Sequence, residues 1–162
     1  MAAGLPRAKV DKHQALRSAP LLRDFTDVGV RILAEASAQR AVGRGTYAFR
    51  AGDPSACIAF IAKGRLQLLP RDGGTPIGEV SEGDTLGGMA LLLEGEHFVS
   101  AMATSDAELL EIPRAAFEQM KRTHPRTALK LTLSLAQDLA ERLGEAQGPL
   151  REFLVWQTSK RA

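Results

Sequence analysis

Gly45-Thr46-Tyr47-Ala48-Phe49-Arg50-Ala51-Gly52-Asp53-Pro54-Ser55 is followed, after four intervening residues, by Phe60-Ile61-Ala62-Lys63-Gly64-Arg65-Leu66. Apolar and aromatic residues stand here in runs too short for a stable helix, and glycines separate them. The pattern extends outward from Val42 to Ile112. Eleven of the fifteen glycines fall between 43 and 95, where tight reversals between short strands need positive φ. Strands are expected at 47–49, 58–63, 65–70, 77–80, 99–103 and 108–112, with a hairpin turn at Arg71-Asp72-Gly73-Gly74. Such a set folds as a compact β-barrel or sandwich.

Helical periodicity frames this region. Phe25, Val28, Ile32, Leu33 and Ala36 recur at helical spacing, with Thr26 placed to cap, so one helix is expected over 25–40. After Pro113, the residues Ala116, Phe117 and Met120 form one face of a short helix that His124-Pro125 breaks. A longer helix is expected over 126–143, ending near Gly144. It carries two apolar stripes: Ala128, Leu131, Leu135, Leu139 and Leu129, Leu133, Ala136, Ala140, Leu143. Two stripes serve two contacts, one to the barrel and one to a partner helix, which predicts a homodimer through this helix. The alternative is a single broad buried face. Residues 1–19 read as a flexible polar N-terminal segment, 20–145 as the domain, and 146–162 as a C-terminal tail or lid.

The chain has 162 residues, with 21 Lys+Arg against 19 Asp+Glu, a formal net charge of +2. With 44% hydrophobic and 25% charged residues, the composition is that of one soluble globular domain and excludes disordered, collagen-like and disulfide-scaffold classes. The longest uncharged apolar run, residues 86–93, is far short of the roughly 20 residues that span a bilayer, so no membrane association is expected. No apolar signal stretch stands at the N-terminus, and the single cysteine, Cys57, forms no internal disulfide, which fits the cytoplasm. His13, His97 and His124 are too scattered for a local metal motif, so no metal is expected. With no nucleophile elbow, Walker loop or paired carboxylates in context, the expectation is a protein that is not an enzyme. The 19 residues after Leu143 show no recognition-helix pattern, so no DNA contact is expected.

These glycine-punctuated strands, with Glu82-Gly83-Asp84-Thr85-Leu86-Gly87-Gly88-Met89-Ala90-Leu91-Leu92 further on, resemble cyclic nucleotide-binding domains, the sensory domains of the catabolite activator protein family. The resemblance covers about residues 20 to 145 and implies an α+β fold. That fold is a jelly-roll-like β-barrel, or double-stranded β-helix, flanked by an N-terminal helix and C-terminal helices. It also implies that 87–91 is the phosphate-binding cassette. A short helical turn presents unpaired amides to an anion, with Gly87 permitting close approach and the amides of Ala90 and Leu91 directed at the phosphate. Gly87, Gly88, Met89, Ala90, Leu91, His97 and Ser100 are the candidate ligand contacts, with Phe153 and Trp156 as a lid over the base.

The cassette departs from the family at two positions. The resemblance implies a glutamate for the ribose where Gly88 stands, and an arginine for the phosphate where His97 stands. A guanidinium is always charged and meets phosphate with a planar fork, which imidazole does not. Between 79 and 112 there are eight acidic residues and no lysine or arginine, an unfavourable field for an anion. Glu94 and Glu96 are expected to favour the imidazolium form of His97, making it an arginine substitute at mildly acidic pH. The function expected is a regulatory sensor that binds cyclic AMP, cyclic GMP or another small anion weakly and passes the signal to a protein partner. The alternative is a dimerising interaction module without nucleotide.

Overall fold

The computed structural model describes residues 9–145. Among the described residues, ten strands form two four-stranded antiparallel sheets and one two-stranded ribbon, a jelly-roll arrangement with helices before and after it. The first sheet has the order β1 (Ala38–Val42), β10 (Ala107–Pro113), β4 (Cys57–Lys63), β7 (Thr85–Leu86). The second runs β2 (Tyr47–Phe49), β9 (Ser100–Ala103), β5 (Arg65–Leu69), β6 (Gly78–Ser81). The ribbon pairs β3 (Pro54–Ser55) with β8 (Gly95–Glu96). The fold class is the one expected.

The centre of the first sheet, β4 and β10, is buried on both faces, which is why β4 reads as an unbroken apolar run rather than an alternating one. Ile58 and Phe60 of β4, with Leu110 and Ile112 of β10, face the helices. Ala59 and Ile61, with Ala107 and Leu109, face the second sheet. The helices covering the outer face are α1 (Lys12–Arg17), α2 (Asp27–Ala36), α3 (Arg114–Thr123) and α4 (Pro125–Glu145). Thr26 caps α2 by accepting from the Gly29 N–H at 3.1 Å.

Two expectations are corrected. The helix expected over 25–40 ends at Ala36, and residues 38–42 are strand β1, paired with β10 from Ala38↔Glu111 to Val42↔Ala107. Arg40 holds that pairing: its Nε and Nη2 both donate to Glu111 Oε1, at 2.8 and 2.6 Å. The N-terminal segment is not a free lead-in over its described part. Asp11 caps α1, and Leu16 and Ala19 are buried in the helical core. The stripes of α4 divide over its first half: Ala128, Leu131 and Leu135 are buried, whereas Leu129 and Leu133 are 61% and 52% exposed; Leu139, expected on the buried stripe, is exposed.

Candidate functional site

The segment between β7 and β8 builds the candidate site. A β-strand ends at Leu86, and the chain must reverse at once into a 3-10 turn, Gly88–Leu91. Gly87 makes that reversal with φ 71° and ψ 18°, in the left-handed region. A Cβ there would stand 2.6 Å from the Cys57 carbonyl oxygen and 3.8 Å from the His97 ring, so only glycine fits. Ala90 and Leu91 are buried, and Leu91 belongs to the helical core, which seats the turn against β4 and the helical layer.

His97 follows β8 and is fixed by its backbone: its N–H donates to Asp53 O at 2.9 Å, and its carbonyl accepts from Gly52 N at 2.8 Å. Its ring lies flat on Phe49 of β2, with centroids 3.7 Å apart and planes inclined 10°. Gly87, His97 and Phe49 are thus brought together. Phe49 is a site residue that the sequence reading did not single out; an aromatic in a half-buried strand carries no local mark of its partner.

Several expectations for the site change. Gly88 faces α4: a Cβ there would stand 2.8 Å from Leu135 Cδ2, so the position leaves no room for the glutamate that the resemblance implies without a shift of Leu135. The Ala90 amide is already used, donating to Gly87 O at 2.8 Å to close the turn. Ser100 Oγ accepts from the Ala51 N–H at 2.9 Å and so ties β9 to the strand-joining loop. Met89 is partly exposed and lines a cavity of about 180 Å³ with Leu135, Leu139 and Arg142. Phe153 and Trp156 lie outside the described residues.

The electrostatics are also revised. Burial lowers the His97 pKa from 6.5, only partly opposed by Asp53, so the neutral ring is favoured. Glu94 and Glu96 do not serve His97, because both are engaged elsewhere: Glu94 lies 3.3 Å from Arg114, and Glu96 2.8 Å from Arg71. Glu111 is paired with Arg40. Arginines from outside 79–112 therefore offset the acidic window, a compensation that counting along the sequence misses. Cys57, beside Gly87, is half-buried, and burial pushes its thiol pKa up, reinforced by Glu111 and opposed by Arg40.

Arg114, the first residue of α3, is a second participant that sequence reading missed. Its Nε donates to Ala90 O at 2.6 Å, and its Nη2 to Leu93 O at 2.5 Å and to Ser55 O at 3.2 Å. Among the described residues, no group of His, Cys, Asp and Glu could hold a metal ion, and no helix is long and apolar enough to cross a membrane.

Comparison with known proteins agrees with this geometry. A family model described as the cyclic nucleotide-binding domain matches residues 39–124. Among solved structures, the N-terminal domain of a transcriptional regulator from Streptomyces coelicolor superposes with TM-score 0.72 at 20% identity, covering 83% of this chain and 98% of that one. The catabolite activator protein of Thermus thermophilus gives 0.66 at 28% identity, covering 76% of this chain and 60% of that one. Among curated relatives, patatin-like phospholipase domain-containing protein 6 of Pongo abelii is 31% identical over 112 residues, 67% of this chain. The chain spans only 8% of that relative's length.

Proposed function

Because the chain belongs to the cyclic nucleotide-binding domain family, we propose that it is a non-enzymatic regulatory sensor whose turn at 87–91 receives a small anion, either a cyclic nucleotide bound weakly or another anion. The observation that carries this reading is the turn itself. Gly87 keeps the left-handed conformation that opens the 3-10 turn, and Gly88 of the turn lies against Leu135 of α4, the longest helix among the described residues. An anion gained or lost there acts on an element already in contact with the C-terminal helices.

Weak binding follows from the residues present. Neither Gly88 nor the neutral His97 brings a charge to the ligand, and each missing charge-assisted contact removes roughly 1.5–3 kcal/mol, about one to two orders of magnitude in affinity. Thermal-shift and calorimetric titrations with cyclic AMP and cyclic GMP at pH 6 and pH 8 test this. Stabilisation that saturates only near about millimolar nucleotide is expected. No stabilisation by either nucleotide at either pH overturns the nucleotide assignment.

A second reading draws on a different observation. The ring of His97, stacked on Phe49, lies beside Gly87, with Cε1 3.8 Å from where a Cβ would stand. The exposed positions Leu129, Leu133, Ala136, Ala140 and Leu143 alternate by four and three, the seam of a two-stranded coiled coil. A dimerising module that needs no nucleotide uses both features. The homodimer through α4 is common to the two readings. A cytoplasmic location fits the lone cysteine in either case.

A further inference from the structure

We propose that Arg114 is the positioning residue of the ligand turn, holding it from behind in its receiving geometry without touching the ligand; this rests on reading the turn as the site. A four-residue 3-10 turn does not hold its own shape, because helix nucleation fixes several dihedral angles for one hydrogen bond. Its last carbonyls lack intrahelical partners. Here Gly87, packed on the Cys57 carbonyl, fixes the leading end. Arg114 fixes the trailing end by donating to the carbonyls of Ala90 and Leu93. It anchors both to the barrel through Ser55 O, while its own backbone N–H donates to Ala56 O at 2.8 Å.

The residue type matters as much as the contacts. A guanidinium presents donors in a fixed planar fork, so one side chain serves three carbonyls in different directions. It also sets positive charge at the carbonyl end of the turn, where the turn's dipole is negative. The side chain is only 23% exposed, so these bonds form largely out of water. Its ion pair with Glu94 is a minor part of the arrangement, because that carboxylate is 92% exposed and solvent screens it. A turn pinned at both ends costs a ligand no ordering entropy, which makes Arg114 a determinant of affinity at a distance.

The test is hydrogen–deuterium exchange on the full chain without ligand, comparing wild type with Arg114→Gln, Arg114→Lys, Glu94→Gln and, as a control at the far end of α3, Arg122→Gln. In Arg114→Gln, amides 89–94 are expected to exchange at least about tenfold faster, with β4 and β10 unchanged. Arg114→Lys, which keeps the charge but loses the fork, should fall between that variant and wild type, and the other two should match wild type. Wild-type exchange over 89–94 in Arg114→Gln overturns the proposal. So does uniform acceleration through every strand, which is the mark of general structural support, and so does an equal effect of Glu94→Gln. If Arg114→Gln does not fold, Arg114→Lys is read alone with the same outcomes. A parallel cyclic AMP titration keeps the functional reading separate: binding weakened at least about tenfold by Arg114→Gln supports positioning of the site. Absence of binding to wild type counts against the nucleotide reading while leaving the exchange result standing.

Discussion

At position 87 the backbone conformation and the neighbouring carbonyl exclude every side chain, although the residue is one of fifteen glycines and carries no mark in the sequence beyond its context. Gly87→Ala should lower stability by about 1–3 kcal/mol or more, read from urea or thermal unfolding, because it adds left-handed strain to a contact that must shift. His97 makes a prediction of the opposite kind, since its environment was misjudged from its sequence neighbours. Its folded-state pKa lies below 6.5, so the unfolded chain binds the extra proton more readily. The contribution of the neutral ring is therefore complete above about pH 6.5 and lost as pH falls toward the lower folded value. Unfolding temperature should decline through that window, and His97→Phe, which keeps a ring against Phe49, should flatten the decline. A profile for His97→Phe identical to wild type would remove His97 as its cause.

Among the elements, the barrel strands were the most legible, because glycine turns and β-branched or aromatic runs are local signals. Strand β1 was not: Ala38-Gln39-Arg40-Ala41-Val42 has little strand propensity and becomes a strand by pairing with β10, some seventy residues away. The two-residue strands β3, β7 and β8 were also invisible, being too short to show a period. At the site the sequence disclosed the turn but not its surroundings. Leu135 against Gly88, Phe49 on His97 and Arg114 beneath the turn all come from distant positions, and no spacing rule links them. The division of α4 into a buried and an exposed stripe was readable over 128–135, because a helix displays its faces at fixed intervals, but not at Leu139, which lies past the reach of the core and is exposed. Leu133→Asp, at the middle of the exposed stripe, should abolish self-association in sedimentation experiments while leaving the unfolding temperature of the monomer nearly unchanged. A wild-type dimer carrying that aspartate would move the interface elsewhere.

In the whole molecule, one sheet serves two cores, the helical one on its outer face and the barrel one within. Leu110, fully buried on the helical side, should cost about 2–5 kcal/mol when truncated to Ala, enough to show as a large loss in denaturation midpoint. A cost under about 1 kcal/mol would mean that the helical layer collapses readily onto the gap. The same sheet also sets an order in time. Because Ala38 pairs with Glu111, the first strand synthesised in this sheet waits for the last one. A ribosome adding about 5–20 residues each second takes several seconds to deliver β10 after β1. Until then β1 and β4 expose unpaired edges, and closing that long loop slows folding compared with a helical bundle of equal size. The barrel's weakest moment is therefore its birth, before the ends of this sheet have met.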